Sequence, residues 1–336
     1  TLFNILLASR WIIDGNLFFH TDIARDFLLM EDIADNKHLT LIGPRSGAIP
    51  GLFHGPLWLY LNLPAFLLGN GDPVYVGWFW VFLYISSLGI TYYVGKKLFG
   101  EEEGLLSVLL LSSVTILQVR ALFNPFGALI LSPLFYYFFV KYLQTNKVKL
   151  LISSLFILGL IIQFQMAFGI PVLFLSFLYL IYNLIKKRNF SHLLSFFVLS
   201  VPLSSFLLFD LRNNFLQVKS VADYFWGSQM HGKLSLNFFQ LVMMRIKESV
   251  MDGLGIITQG NNYLTIILLL FIIFALIISF KKKSKNLNVY FLFIYFYLGF
   301  WFFTIFFRGP VWNYYFLPFI PLLILFFVSL KTRVNK

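Results

Sequence analysis

The sequence contains no cysteine among its 336 residues, and charged residues make up only 12% of it. The missing cysteines exclude disulfide bonds, thiol nucleophiles and thiolate metal sites. A soluble domain carries about 25% charged and roughly 45–50% apolar residues, whereas this chain is 59% hydrophobic and 20% aromatic. Its polar residues are too few to cover a water-soluble globule, and its hydrophobicity excludes a disordered chain. The composition therefore predicts a polytopic membrane protein.

Acidic residues are also scarce, with 14 Asp and Glu against 26 Lys and Arg, for a net charge of +12. The basic residues do not form the single patch that a nucleic-acid-binding surface needs, so no nucleic-acid partner is expected. Instead they stand in short runs between apolar segments, mainly at Lys96–Lys97, Lys186–Arg188, Lys281–Lys285 and Lys331–Arg333. Runs of this kind are typical of cytoplasmic loops between membrane spans.

A transmembrane helix needs about 20 predominantly apolar residues, and the sequence offers about ten such segments. They lie at 1–13, 74–95, 104–122, 127–143, 148–164, 170–185, 191–209, 262–280, 288–306 and 314–330. The chain opens at Thr1 inside an apolar run, so we expect the first span to be partial. If residues 14–73 are outside, 15 of the 26 Lys and Arg fall on the inner side. The predicted fold is a single all-α polytopic bundle over residues 1–336.

Two long loops are predicted on the outer face, a first at residues 14–73 and a second at residues 210–261. Residues 21–35 of the first loop have the apolar stripe of an amphipathic interfacial helix. Residues 55–69 are apolar but too short to span, which favours an interfacial or re-entrant helix. Because most acidic residues lie in these loops, we expect the chemistry there.

Three places in the outer segments carry candidate functional residues. At the start of the first predicted helix, Asp22 and Arg25 are i,i+3 neighbours and Asp22 and Asp26 are i,i+4 neighbours, which clusters two carboxylates and a guanidinium. The alternative is that Thr21 or Asp22 caps the helix and Arg25 pairs with it. His54 and Asn124 each stand just before a proline, and each taken alone is equally an ordinary turn residue.

The order of these motifs along the chain is more specific than any one of them. The motifs are Asp22-x-x-Arg25, His54 ahead of Pro56-Leu57, the basic and glycine-containing segment 96–106, and Asn124-Pro125-Phe126. In this order, the chain resembles the GT-C glycosyltransferases that use polyprenyl-phosphate sugars, the protein O-mannosyltransferase and lipid A aminoarabinose transferase group. The resemblance is strongest over residues 10–140, and Phe209-Asp210-Leu211-Arg212 is similar to prokaryotic members.

The resemblance implies a role for each candidate. Asp22 matches the family's catalytic carboxylate and Arg25 the arginine three places later, with Asp26 as a supporting residue. His54 falls where many members carry a lysine or histidine that faces the donor phosphate. Asn124 stands where the aminoarabinose transferases have aspartate, so it is expected to support the site rather than supply a second carboxylate. The implied activity moves a sugar from a polyprenyl-phosphate donor to a lipid, glycan or protein acceptor on the outer face of the cell membrane.

The chemistry of such a donor agrees with this set of residues. A polyprenyl phosphate leaves readily once its charge is met, so one carboxylate acting as general base suffices for an inverting displacement. A glycosidase would need two carboxylates that flank the bond. The basic side chains predicted to lie outside are Arg25, Arg45, Arg120, Arg212, Lys219 and Arg308. From these we expect Arg25, Arg45 and Arg308, together with His54, to bind the donor phosphate.

A polytopic transporter or lipid-linked glycan flippase is the main alternative. Transporters place ionisable residues at the middle of their spans and are often built from repeats. Between residues 74 and 209, the predicted spans carry only Arg120 and Lys141, both near span ends, and no repeat is evident. A divalent metal stays open. Its candidate ligands on the outer side are His20, Asp22, Asp26, His54 and His231, whose spacing fits no known metal motif.

Overall fold

A computed structural model describes residues 1–187, 190–226, 234–281 and 287–331 of the chain. These residues are largely helical and contain no β-strand, apart from one isolated bridge between Arg45 and Phe53. The α-helices are α1 (Leu2–Ile13), α2 (Thr21–Asn36), α3 (Leu57–Leu68), α4 (Pro73–Leu98), α5 (Glu101–Thr115), α6 (Pro125–Thr145), α7 (Val148–Phe164), α8 (Met166–Lys187), α9 (Ser204–Arg212), α10 (Leu216–Trp226), α11 (Phe238–Lys247), α12 (Asn262–Lys281), α13 (Leu287–Phe306) and α14 (Ile320–Lys331).

All ten predicted spans are helical, but the structure does not confirm ten full crossings. Six described helical segments are long and apolar enough to cross a membrane: Pro73–Leu98, Glu101–Ala121, Pro125–Thr145, Met166–Lys186, Val289–Phe306 and Asn313–Leu330. The segments at Leu2–Ile13, Val148–Phe164 and Asn262–Ile278 are apolar but shorter. The all-α polytopic fold is therefore confirmed, while the number of crossings is not.

The span predicted at 191–209 is bent in the structure. It consists of a 3₁₀ helix, Phe190–Ser200, followed by α9 at an angle of 67°. Pro202 lies in the break, where its missing N–H and its ring prevent a continuous helix. If the bent pair counts as one crossing, the described residues hold up to seven spans.

The helix ends meet in two groups at opposite ends of the bundle. At one end, the Tyr142 hydroxyl lies 2.8 Å from Nδ1 of His192, and the Tyr290 hydroxyl donates to the carbonyl of Ser329 at 3.1 Å. The basic residues Lys96 and Lys97 end α4 on this side, beside the close contact of Gly95 with Gly104. Several members of the predicted inner runs, Arg188, Lys282–Lys285 and Arg333 among them, lie outside the described residues.

The opposite end carries the segments predicted as outer loops. There, the backbone N–H of Phe18 donates to the carbonyl of Arg120 at 2.9 Å, and that of Gly55 to the carbonyl of Gln163 at 3.1 Å. The first loop contains both predicted short helices, α2 and α3. The second loop, for which the sequence predicts no helices, contains α10, α11 and a π-helical turn at Glu248–Gly253. This end of the bundle therefore positions the candidate residues that the structure describes.

Candidate active site

Helix α2 begins with a histidine cap, which frees Asp22 for other contacts. Nδ1 of His20 accepts a hydrogen bond from the backbone N–H of Asp22 at 3.3 Å, and the backbone of His20 is extended as N-cap residues usually are. The alternative in which Thr21 or Asp22 caps the helix is therefore wrong. Burial lowers the pKa of His20, so at neutral pH its ring is uncharged and serves as an acceptor.

Arg25 binds both neighbouring carboxylates. Its Nη1 donates to Oδ1 of Asp22 at 2.7 Å, while Nε and Nη2 donate to Oδ1 of Asp26 at 3.1 and 2.9 Å. A guanidinium has five N–H groups, so each terminal nitrogen retains one for a further acceptor. The side chains of Arg25 and Asp22 are 32% and 36% exposed, whereas that of Asp26 is 4% exposed. A ligand can therefore reach Asp22 and Arg25 but not Asp26.

Asp26 is a buried carboxyl group with one oxygen unused. Its Oδ2 is fully buried and has no hydrogen-bond partner among the described residues. Burial raises the pKa of Asp26 to about 6, and the neighbouring Arg25 guanidinium opposes that rise. Asp26 thus holds Arg25 on its buried side. Asp22 contacts Arg25 on the more exposed side, where a hydroxyl group can reach its carboxylate.

His54 lies close enough to Arg25 and Asp22 for their charges to act on it. Its Nδ1 is fully buried without a partner in the described chain, and burial, reinforced by Arg25, lowers the pKa of His54 to about 4. The expected contact of His54 with the donor phosphate would therefore depend on hydrogen bonding and not on charge. At neutral pH, His54 is an uncharged imidazole that offers a phosphate one N–H donor and no positive charge.

A hairpin holds His54 and Arg45 at its two ends. The backbone N–H of His54 donates to the carbonyl of Pro44 at 2.8 Å, and that of Gly43 donates to the carbonyl of His54 at 2.7 Å. The two arms approach so closely that a Cβ on Gly43 would lie 2.3 Å from the carbonyl oxygen of Gly55. Only glycine fits at this position, so the hairpin fixes where both side chains emerge.

A cavity of about 390 Å³ lies between this hairpin, α2 and α3. Arg25 and Arg45 both line it, and the structure shows no ion pair for Arg45 in the part of the chain that it describes. The remaining lining residues are Leu29, Asp32, Ile33, His38, Thr40, Ile42, Gly43, Pro44, Phe53 and Leu59. Two guanidinium groups beside one cavity make it suited to an anionic group.

Five expected site residues do not line this cavity: Asp22, Asp26, His54, Asn124 and Arg308. The Asn124 amide is buried and donates to the carbonyl of Phe164 at 2.7 Å, so it ties the α5–α6 turn to the end of α7. The side chain of Arg308 is exposed, and its carbonyl accepts from the backbone N–H of Leu234 at 2.7 Å. Arg120 is also occupied elsewhere, because its guanidinium lies 5.5 Å from the ring of Trp11.

The turn at Asn124 still reaches the site through its aromatic neighbour. The ring of Phe123 packs edge-on against His20, with centroids 4.9 Å apart, and against Tyr314, with centroids 5.3 Å apart. The Tyr314 hydroxyl is in turn close enough to Asp22 and Arg25 to interact electrostatically with both. The end of the chain therefore contributes a residue to the site that the sequence reasoning did not find.

The second outer loop clamps the hairpin of the first. Oε1 of Gln217 accepts from the backbone N–H of Phe53 at 3.0 Å, and Oδ1 of Asp210 accepts from the backbone N–H of Gln217 at 2.8 Å. Ala48 and Ile49 at the hairpin tip form a buried cluster with Tyr224. Asp210 belongs to the Phe209–Arg212 motif. In the structure, this motif therefore positions Gln217, which binds the hairpin.

A fully buried arginine, Arg245, anchors the second loop to the turn after α13. Its Nε donates to the carbonyl of Thr304 at 3.0 Å, and its Nη2 donates to those of Phe307 and Gly309 at 2.7 and 2.6 Å. Its Nη1 donates to Glu248 at 2.6 Å, and burial raises the pKa of that carboxyl. The i,i+3 spacing of Arg245 and Glu248 was visible in the sequence, but carbonyls some 60 positions away were not.

In the part of the chain that the structure describes, no three His, Asp or Glu side chains converge into a group that could hold a metal ion. His20 and Asp22 are joined through a backbone contact, and Asp22 and Asp26 through Arg25. His231, which the sequence also offered as a ligand, lies outside the described residues.

Residues 54–208 match the family model of dolichyl-phosphate-mannose-protein mannosyltransferases. The fold is similar to two crystal structures of ArnT from Cupriavidus metallidurans. The apo form gives a TM-score of 0.65 at 13% identity over 99% of this chain. The form bound to undecaprenyl phosphate gives 0.64 at 14% identity over 98%. The chain has the GT-C fold.

The family match and the fold match cover different parts of the chain. The matched family segment begins at His54 and excludes Asp22 and Arg25, whereas the fold match includes α2. The chain spans 59% of the length of each ArnT chain. No curated protein matches the sequence. The GT-C resemblance drawn from the order of the motifs is confirmed at the level of the fold.

Proposed function

We propose that the chain is an integral-membrane inverting glycosyltransferase, which transfers a sugar from a polyprenyl-phosphate donor to an acceptor on the outer face of the membrane. The observation that carries this proposal is the Asp22–Arg25–Asp26 cluster beside a cavity that Arg45 also lines. Such a cluster offers a base and a phosphate-binding guanidinium side by side. The mannosyltransferase family match and the undecaprenyl phosphate bound to ArnT support a donor of this class.

In the proposed reaction, Arg25 and Arg45 bind the phosphate of the donor and stabilise the charge that it gains as it leaves. Asp22 removes the proton from the acceptor hydroxyl, which attacks the anomeric carbon from the face opposite the phosphate. The C–O bond to the phosphate breaks as the new glycosidic bond forms, so the configuration inverts. His54 donates one hydrogen bond to the phosphate, and Asp26 keeps Arg25 in place.

The described spans speak against the transporter alternative. Their charged residues lie close to the ends of the helices, such as Lys96 in α4, Glu101 in α5 and Lys149 in α7. A transporter carries such groups near the middle of the membrane, where its substrate binds. The charged clusters Asp22–Arg25–Asp26 and Arg245–Glu248 lie instead in the predicted outer loops, as expected for an enzyme that acts at the membrane surface.

The direct test reconstitutes the purified chain with polyprenyl-phosphate sugars prepared from radiolabelled nucleotide sugars. We expect label to appear in a new covalent product, and Asp22→Asn to lower turnover by about 10²–10⁴-fold, the usual loss for a general base. Asp35→Asn removes an exposed carboxylate from the same helix and should leave turnover unchanged. Label that crosses the bilayer without bond formation would identify a flippase instead. Full activity of Asp22→Asn would remove Asp22 as the base.

The face of the membrane has its own test, because the chain contains no cysteine. Asp35→Cys should react with a membrane-impermeant maleimide in intact cells. Lys97→Cys, at the other end of the bundle, should react only after permeabilisation. The reverse labelling pattern would place the site on the cytoplasmic face.

A further inference from the structure

The cavity beside Arg25 extends along one face of α2. Arg25, Leu29 and Asp32 all line it, and their spacing of four and then three residues places them on the same side of a helix. Seven residues of α-helix rise about 10 Å, so Asp32 lies that far along the axis from Arg25. The cavity therefore has a guanidinium and a carboxylate on its lining whose residues are about 10 Å apart along α2.

The lining at Asp32 carries polar groups that the proposed reaction does not use. Asp32 accepts a hydrogen bond from the Asn36 amide at 2.7 Å, and its second oxygen lies 3.6 Å from Nε2 of His38. Both Asp32 and His38 are about half exposed and line the cavity. A carboxylate and an imidazole side by side can bind neighbouring hydroxyl groups, since the carboxylate accepts and a ring N–H donates.

Much of the remaining lining is apolar. Leu29, Ile33, Ile42, Phe53 and Leu59 supply apolar parts of the lining. The volume of about 390 Å³ falls within the range of roughly 300–1,000 Å³ that is usual for small-molecule sites, which also combine apolar walls with a few polar groups. A pyranose ring has apolar C–H faces and a rim of hydroxyls, so it fits such a space.

We propose that Asp32 and His38 form the subsite for the sugar ring of the donor, with Arg25 binding the phosphate of the same molecule. This inference rests on the proposed function. The distance along α2 from Arg25 to Asp32 matches the length of one pyranose ring with its phosphate.

The Asp32–His38 contact contributes little to the stability of the fold, so Asp32 can be replaced without unfolding the protein. An ion pair at 3.6 Å between half-exposed side chains contributes little to stability. Asp32→Asn should therefore fold normally while it loses the charge that binds a hydroxyl. Asp35→Asn is the matched control, because Asp35 is an exposed carboxylate on the same helix that does not line the cavity.

The experiment compares the binding of two kinds of lipid to each purified variant, by calorimetry or a fluorescence competition assay. The first lipid is undecaprenyl phosphate without a sugar. The second is the same lipid carrying mannose, glucose or galactose. We expect the wild type to bind at least one sugar-bearing lipid more tightly than the bare one. Asp32→Asn should lower the affinity for that sugar-bearing lipid by about tenfold, which corresponds to the loss of one charge-assisted hydrogen bond. Asp32→Asn should change the affinity for the bare lipid by less than about twofold. Asp35→Asn should change neither affinity.

The outcomes separate this inference from the proposed function. If Asp32→Asn lowered the affinity for both lipids equally, Asp32 would belong to the phosphate site, and the proposed sugar subsite would be wrong. Unchanged binding of both lipids, or a wild type that prefers none of the three sugars over the bare lipid, would also overturn it while leaving donor binding intact. A wild type that binds neither kind of lipid would contradict the proposed function itself.

Discussion

The side chain of Gln217 accepts a hydrogen bond from the backbone N–H of Phe53 at 3.0 Å, across 164 positions of the sequence. Phe53 directly precedes His54 and pairs with Arg45 across the hairpin. A contact made by the second outer loop therefore fixes two residues of the candidate site in the first. Without this clamp, the hairpin would lose its only side-chain hydrogen bond to α10 among the described residues.

Gln217→Leu should loosen the hairpin without touching the substrate. The variant leaves the N–H of Phe53 unpaired, which costs about 1–3 kcal/mol. We expect a lower unfolding temperature and a donor KM raised severalfold, while kcat changes less because Asp22 is unaffected. Val218→Ala, an exposed change on the same helix, should alter neither quantity. An unchanged donor KM in Gln217→Leu would show that the clamp does not position the donor.

Arg25→Lys tests whether the shape of the guanidinium matters or only its charge. A single ammonium cannot bond Asp22 and Asp26 together and still offer a planar pair of donors to a phosphate. We expect donor affinity to fall by about 10- to 100-fold, measured by binding of undecaprenyl phosphate. The control is Arg10→Lys, because Arg10 forms an exposed pair with Asp14 at 3.5 Å. Equal affinities in the two variants would remove Arg25 from the phosphate site.

The buried Asp26 should make stability depend on pH in a definite direction. Its pKa is raised to about 6 from 3.8, so the folded state favours the protonated carboxyl. Stability is therefore lost as the pH rises from about 4 to about 6. Asp26→Asn stays neutral, so its stability relative to the wild type should increase by up to about 3 kcal/mol across this interval. Thermal unfolding in detergent at several pH values measures this. Parallel curves for the two proteins would contradict it.

His54 should act on stability in the opposite direction. Its pKa is lowered to about 4 from 6.5, so the folded state favours the neutral ring. The stability that this preference supplies is complete above about pH 6.5 and is lost as the pH falls toward about 4. His54→Gln should remove this acid-side loss in the same unfolding experiment. A His54→Gln curve that falls as steeply as the wild type below about pH 6 would contradict the buried, neutral state of His54.

Arg245→Met should be among the most destabilising single changes in the outer loops. The variant leaves three carbonyls and the Glu248 carboxylate without their donor, and breaking a buried ion pair in this way costs about 3–5 kcal/mol. Lys247→Met removes an exposed positive charge two positions later and should cost little. The melting temperatures of the two variants in detergent decide the matter. Similar values would mean that the Arg245 anchor is not needed for folding.

The features that the sequence predicted well are local ones. The apolar stripe over residues 21–35 is confirmed by α2 at Thr21–Asn36, because helical periodicity is a property of neighbouring residues. The i,i+3 pair of Asp22 and Arg25 forms for the same reason. The short apolar segment 55–69 is confirmed as a helix too short to span, at Leu57–Leu68. Each of these depends only on a few consecutive turns of the chain.

The predictions that failed or needed correction depend on how distant segments pack. The break at Pro202 bends the span predicted at 191–209, and the amide of Asn124 binds the carbonyl of Phe164, a contact that the sequence did not predict. His54 is neutral because it is buried, and burial is set by segments far away in the sequence. The cap on α2 is His20, whose type alone does not mark it as a cap.

The sequence by itself determined that this is a helical membrane protein whose acidic residues gather in two segments, 14–73 and 210–261, since composition and periodicity state how much of each segment avoids water. Only the tertiary structure decided which of the outer cations share a cavity. Arg45 joins Arg25 across 20 positions because Gly43 and Gly55 let the hairpin arms meet and Gln217 holds them. Arg308 and Arg120 have the same charge but point elsewhere. The residue type gives the charge of a side chain, whereas the packing of the chain determines which groups lie next to it.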